Sequence, residues 1–344
     1  MIMNNNNKII AIVAYEEYPA VCSSMMMHVD MMVEAGFHVV MFVQKRVNIE
    51  LFKNYSYKIE LFNSPSELPS LFAKYEVGKV WCTNPLYVLK LLRITDLPIY
   101  LWKQGDTAAE SFMNHHSYLR KWILQLMDAY TLRKVAGVVY VSDAMKNYYE
   151  KKYRIKTKSI VVPCLSEFAD YETKVERIPN SYVYIGGLSV WQCFDEILQT
   201  YAKIRNENSI FHIITLDTET ARKKVLQYIG DLNNIEIYGI KDRQLIPETL
   251  HRFQYGFLIR RNDVVNYVAA PIKFLEYISC GVNVIMTDAV ASYANIVKEY
   301  GIGTVINMGD ENISINSFNS NAKKVYRKLF NHEVFVGEYK RILS

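Results

Sequence analysis

Residues 260–285 read RRNDVVNYVAAPIKFLEYISCGVNVI. The stretch opens at the carboxyl end of one apolar run, YGFLIR (255–260), and crosses a loop into a segment with apolar residues at helical spacing, 271–280. Gly281 ends that segment, and a second apolar run, VNVIMT (282–287), follows at once. Two continuous apolar runs on either side of a helix are the signature of a parallel sheet covered on both faces.

The same alternation extends outward along the chain. Upstream lie apolar runs at 9–14, 38–43, 57–62, 79–82, 98–102, 137–142 and 159–163, with helical patterns such as 23–35 and 143–153 between them. Residues 166–180 (SEFADYETKVERIPN) are polar, carry no apolar period and read as a linker. A second series then runs through 181–186, 210–215, 235–239, 255–260, 282–287 and 303–307, with helices expected at 193–205, 219–229, 271–280 and 316–330. The expected fold class is α/β: two doubly wound Rossmann-like domains, 1–166 and 167–330, with a closing helix at 331–344 that packs back on the first. Ligands of such sheets bind beyond the carboxyl ends of the strands, so the expected site is a cleft that the two domains face.

Composition narrows the function classes. The 344 residues are 50% hydrophobic and 22% charged, an ordinary globular balance, and the net charge of +5 favours anionic small partners over nucleic acid. The five cysteines are scattered and never form a C-x-x-C pair, which excludes a disulfide framework or a structural zinc site and fits free thiols in a reducing cytoplasm. No run approaches a membrane span, and the apolar run after MIMNNNNK is too short for a signal-peptide core. D-x-D, H-E-x-x-H, P-loop, G-x-G-x-x-G and nucleophile-elbow motifs are all missing, which disfavours metal-dependent transfer, dehydrogenation and nucleophilic hydrolysis. No cofactor or metal is expected.

The chemistry concentrates in 260–285. Pro271 suits a first helical turn, and the small pair Ala269 and Ala270 leaves the backbone N–H groups approachable. A helix amino terminus carries about half a positive charge and free donors, a seat for phosphate. Lys273 adds a full charge, Arg260 and Arg261 lie at the strand end, and Glu276 is placed one turn on to accept from a hydroxyl. The alternative is a buried strand–loop–helix with solvated charges.

These residues carry a resemblance. The chain resembles the family 4 glycosyltransferases, retaining enzymes of the GT-B fold, and in particular bacterial members of capsule and O-antigen assembly. Their pattern N-x-V-A-x-P-x-K-F-x-E-Y-x-x-C-G-x-x-V-I is matched by Asn266, Val268, Ala269, Pro271, Lys273, Phe274, Glu276, Tyr277, Cys280, Gly281, Val284 and Ile285. The resemblance implies that Glu276 binds the ribose of a nucleotide sugar. A second family glutamate that contacts the sugar is replaced by Val268, with Asn266 or Asp263 as substitutes. YIGGLSVWQCFDEIL (184–198) is similar to the turn opening the family's donor domain, with Gly186 and Gly187 in the turn. The family's Arg/Lys pair for the diphosphate is replaced there by Gly187 and Gln192, leaving Arg260 and Lys273 to supply the charge.

In the first domain, QGDTAAES (104–111) resembles a loop that faces donor and acceptor, with Gly105 giving backbone access, Asp106 catalytic and Glu110 on acceptor hydroxyls; the alternative is a helix cap. YEEYPAVCSS (15–24) lacks the glycines of the family's acceptor loop, and Glu16 and Glu17 read as solvated or acceptor-facing. NHHSYLRKWILQLMDAYTLRK (114–134) is basic and amphipathic, with Tyr118, Trp122, Leu126 and Ala129 on one face, fit either to pack on its sheet or to touch anionic lipid. His28 reads as a core histidine.

The implied activity is transfer of a sugar from a nucleotide donor to a glycan or polyprenyl-linked glycan acceptor, with retention and without a metal, in the cytoplasm or at the inner face of the membrane. The alternatives are a nucleotide-sugar epimerase and a non-catalytic binder.

Overall fold

A computed structural model of the chain describes residues 9–14, 19–52 and 56–344. Glu16 and Glu17 lie outside the described residues. Two parallel sheets form. The first joins β1 (Ile9–Ala14), β2 (His38–Gln44), β3 (Lys58–Phe62), β4 (Lys79–Cys82), β5 (Ile99–Lys103), β6 (Gly137–Tyr140) and β7 (Lys158–Val161) in the order 3-2-1-4-5-6-7. The second joins β8 (Ser181–Ile185), β9 (Ile210–Ile214), β10 (Ile235–Tyr238), β11 (Tyr255–Leu258), β12 (Asn283–Thr287) and β13 (Gly303–Ile306) in the order 10-9-8-11-12-13. Strand order reverses between β1 and β4 and between β8 and β11. These are the switch points beyond whose carboxyl ends ligands bind in doubly wound sheets. β4, β5, β6, β11 and β12 are buried along their whole length, the reason their sequences read as unbroken apolar runs.

The chain divides into two compact units. The first takes Met1–Cys164, Val268–Ala270 and His332–Ser344; the second takes Leu165–Tyr267 and Pro271–Asn331. In the first, the final helix (His332–Leu343) packs on the helix Pro19–Glu34 and beside β7. Its Tyr339 hydroxyl meets His28 Nδ1 at 2.6 Å, and burial drives the pKa of His28 down to about 3, so the ring is neutral.

The stretch 166–180 carries no helix or strand, as its sequence suggests, and it is docked on the second unit: Ser279 Oγ meets Ser166 Oγ at 2.8 Å, Phe168 is buried, and Arg177 donates to the Cys280 carbonyl at 2.6 Å. Two local expectations are corrected. The helix expected through 114–134 is two helices, Thr107–His115 and Tyr118–Lys134. His116 adopts a left-handed φ of 51° and Ser117 caps the second helix through the Arg120 amide. The helix expected from 316 starts only at Ala322, because Asn316 and Asn319 turn their amides onto the carbonyls of Gly303 and Gly301. Such side chains compete with the helical backbone for its partners.

Glycine is required at 256. A Cβ there would sit 2.8 Å from the Tyr277 ring, which lies flat on β11. Gly256→Ala is therefore expected to cost about 1–3 kcal/mol of stability by overpacking. A shifted denaturant midpoint at unchanged slope would read this, and an unmoved midpoint would refute it.

Candidate functional site

The second unit gathers several of the sequence-predicted residues at the carboxyl ends of β8 and β11. Gly186 ends β8 with φ of 137°, a backbone shape that glycine adopts without strain. A Cβ there would approach Lys273 Nζ to 2.9 Å, so the turn is glycine for reasons of space as well. Gly187 accepts a hydrogen bond from the Tyr184 hydroxyl through its carbonyl. Lys273 stands in the first turn of the helix Ile272–Ser279, which begins one residue later than expected, with Pro271 as its N-cap and no side chain capping it. The ammonium of Lys273 donates to Gln192 Oε1 at 2.9 Å and lies 4.1 Å from the centre of the Tyr184 ring. Burial, then the charge of neighbouring Arg260, push its pKa well below the ordinary lysine range.

Arg260 follows β11 and is 5% exposed. Its guanidinium donates to the Trp191 carbonyl, while Nε is buried without any acceptor. Among the described residues neither Arg260 nor Lys273 makes a salt bridge. Of the two positions matched to the resemblance's Arg/Lys pair, Gln192 accepts from Lys273, while the Gly187 carbonyl takes the Tyr184 hydroxyl and Arg260 donates to the carbonyl of Trp191, the residue before Gln192.

Glu276 is buried one turn further on, and Arg243 holds its Oε1 at 2.8 Å. The same guanidinium bridges to Glu167 at 2.7 Å and stacks over Phe168 at 5.5 Å. Arg243 was not legible in the sequence, where KDRQL is an unremarkable polar loop after β10.

Other expected residues are engaged elsewhere. Arg261 is tied to Glu196 on the helix Phe194–Ile204 and is largely exposed. The expected loop before Pro271 contains a short helix, Val264–Val268, started by Asp263, whose carboxylate accepts from the Asn266 amide at 2.9 Å. Asn266 is buried, and its side chain donates to Asp263 and to the Arg261 carbonyl at 2.9 and 3.1 Å. Both candidate sugar contacts are therefore occupied in shaping this segment. Val268 is fully buried, and Ala269 and Ala270 are half-buried and belong to the first unit.

In the first unit, the carboxyl ends of β4 and β5 open on a pocket of about 370 Å³ lined by Asn84, Trp102, Lys103, Gln104, Gly105 and Glu110, among others. Glu110 folds its carboxylate over Gly105, where any Cβ would collide with it. Burial raises its pKa, the neighbouring Lys103 charge opposing. Asp106 is 2% exposed and accepts from the Ala109 amide at 2.8 Å, which makes it the N-cap of the helix Thr107–His115. That is the capping role the sequence held open beside a catalytic one. Beneath the pocket, Lys103 and Asp128 form a buried ion pair at 2.9 and 3.0 Å.

No family model and no curated protein matches the chain. Solved structures do. Sucrose-phosphate synthase from Thermosynechococcus elongatus superposes with a TM-score of 0.68 at 13% identity, covering 96% of this chain and 97% of that one. A glycosyltransferase from Rickettsia africae gives 0.64 at 13%, covering 98% of both. Anabaena HepE, solved in complex with UDP-glucose, gives 0.71 at 11%, covering 97% and 98%. The fold is that of the GT-B glycosyltransferases, two Rossmann-like α/β domains.

Proposed function

We propose that the chain is a glycosyltransferase that takes a sugar from a nucleotide-sugar donor, with UDP-sugars the first class to try. The supporting observation is the pair Arg260 and Lys273, two buried neighbouring basic groups whose hydrogen-bond partners are neutral and which make no salt bridge among the described residues. Burying an ion costs several kcal/mol unless an opposite charge answers it. A diphosphate seated by the Gly186 turn and the uncapped helix at 272 is the answering charge. Glu276, held in place by Arg243, then faces the ribose hydroxyls. HepE, of the same fold, is known with UDP-glucose bound.

On this reading the bond from sugar C1 to the diphosphate oxygen breaks and the acceptor oxygen forms a new bond to C1 on the same face, retaining configuration. The acceptor proton passes to a diphosphate oxygen. Arg260 and Lys273, rather than a metal, stabilise the negative charge that develops on the leaving group. The pocket by Gly105 and Glu110 receives a glycan acceptor, free or polyprenyl-linked, in bacterial surface polysaccharide assembly. Asp106 positions that pocket by fixing the helix amino terminus.

The test is thermal unfolding with a panel of nucleotide sugars and free nucleotides, wild type beside Glu276→Ala. A donor at a hundred times its Kd should stabilise the wild type by about 2.7 kcal/mol. The gain should vanish in Glu276→Ala. Stabilisation by no donor would refute the reading, and binding without turnover on any acceptor would leave a binder in place of an enzyme.

A further inference from the structure

The amino ends of β9 and β10 open on another pocket, of about 340 Å³, within the usual range for small-molecule sites. Gly186 lies level with the far end of β9, where its amide donates to the Ile214 carbonyl at 3.0 Å. The length of β9, about 17 Å for its five residues, separates that turn from this pocket. Ligands of doubly wound sheets bind at the carboxyl ends, so the pocket is no part of the donor position.

The most buried residue of its lining is Tyr201, 1% exposed, on the helix Phe194–Ile204. Its ring packs against Tyr182, Phe211 and Phe257, and among the described residues no hydrogen bond engages its hydroxyl. The charges of Arg205 and Asp231, both in the lining, act on that hydroxyl, which places it at the pocket end of the ring. Burial pushes its pKa up to about 12, so at neutral pH it is a neutral donor and acceptor. Buried hydroxyls are nearly always bonded, and one at a pocket wall without a partner points to a ligand. The walls are held in place. Arg205 pairs with Asp231 at 2.9 Å, and Asn234, with a left-handed φ of 57°, donates to the Glu207 carbonyl at 3.2 Å.

The lining selects the chemistry of that ligand. It contains no aliphatic side chain, so an apolar ligand has nothing to bury against. One cation stands beside two carboxylates, Asp231 and Glu207, which turns an anion away. Asp231 is spent on Arg205 and on the Asn233 amide at 2.9 Å, leaving Glu207 alone for a metal that would need several oxygens. What remains are carboxamides, a guanidinium and a hydroxyl, groups that offer donors and acceptors together. Neighbouring hydroxyls on a sugar ring present the same mixture.

We infer that this pocket is a second saccharide site, which holds one neutral sugar unit by hydrogen bonds to Tyr201, Asn233 and their neighbours. It shares no residue with the proposed donor and acceptor positions and needs no turnover, so it stands apart from transfer.

Ligand-observed NMR of the full chain tests it, with methyl glycosides of glucose, galactose, mannose and N-acetylglucosamine beside maltose and lactose. At least one is expected to bind with no nucleotide sugar present, and to stay bound when inorganic phosphate or calcium chloride is added. Tyr201→Phe should weaken that binding about two- to tenfold, the share of one hydrogen bond. Its melting temperature should not change, because the ring keeps its packing. Asn233→Ala should act likewise, since its side chain is exposed and makes no hydrogen bond among the described residues. Tighter binding of a disaccharide than of the methyl glycosides would identify a glycan chain as the source, and equal binding a free sugar. Binding of none of these sugars overturns the proposal. So does binding that both variants leave unchanged, or displacement by calcium or phosphate.

Discussion

Lys273→Met is expected to make the ligand-free protein more stable and the donor complex much weaker. Lys273 is buried with only Gln192 and the Tyr184 ring for partners. Replacing a buried ionisable group by an apolar side chain of similar volume removes the cost of burying it and is often stabilising, here by about 1 kcal/mol. The pH dependence carries the sign. In the folded state the pKa of Lys273 lies well below the ordinary lysine value, which the unfolded chain keeps at about 10.4. Between those limits the unfolded state holds the proton and the folded state does not, so wild-type stability rises with pH through the window. The variant should lose that slope.

A diphosphate favours the charged amine, so donor binding should draw a proton in and weaken as pH rises. Loss of a charged hydrogen-bond partner costs about 1.5–3 kcal/mol, at least tenfold in affinity. Melting curves across pH, and binding calorimetry in buffers of different ionisation heat, measure both. A variant that binds donor like the wild type would remove Lys273 from the site.

Asp128→Ala should be the most damaging single substitution near the other pocket. It leaves Lys103, 1% exposed, as a buried charge without its carboxylate, an arrangement that costs about 3–5 kcal/mol. For a unit of this size the melting temperature should fall by about 10 °C. Lys103→Met/Asp128→Leu should recover most of the loss, because it removes both charges, and the double-mutant cycle gives the coupling directly. If Asp128→Ala melts with the wild type, Lys103 has reached water through the pocket that it lines, and the pair is not structural.

Much of this was legible for a physical reason. Parallel strands buried on both faces announce themselves as unbroken apolar runs, as β11 and β12 do, and Gly281 stops its helix with φ of 72°. Lys273, Arg260 and Glu276 stood out because charges beside such runs are costly unless used. What stayed hidden depends on partners distant in sequence. Nothing local shows that Arg243 reaches Glu276, or that Gln192 meets Lys273 across 81 positions. Asn266 and Asp263 were read for a ligand, while the structure spends them on a short helix. The stripe on Tyr118–Lys134 was visible as a period, but a core-facing and an outward-facing stripe share that period, and only exposure separates them.

The division of the chain has a consequence for the order of events during synthesis. The second unit is continuous from Leu165 except at 268–270, whereas the first needs the helix His332–Leu343 to cover the helix Pro19–Glu34 and flank β7. At about 5–20 residues per second, the ribosome takes roughly 10–35 s to travel from residue 165 to that helix. For that interval the earlier-made unit stands unfinished, with His28 lacking the hydroxyl of Tyr339, while the later-made one is already closing. The part translated first is thus completed last, and a nascent chain stalled before residue 332 would present an open apolar face to chaperones.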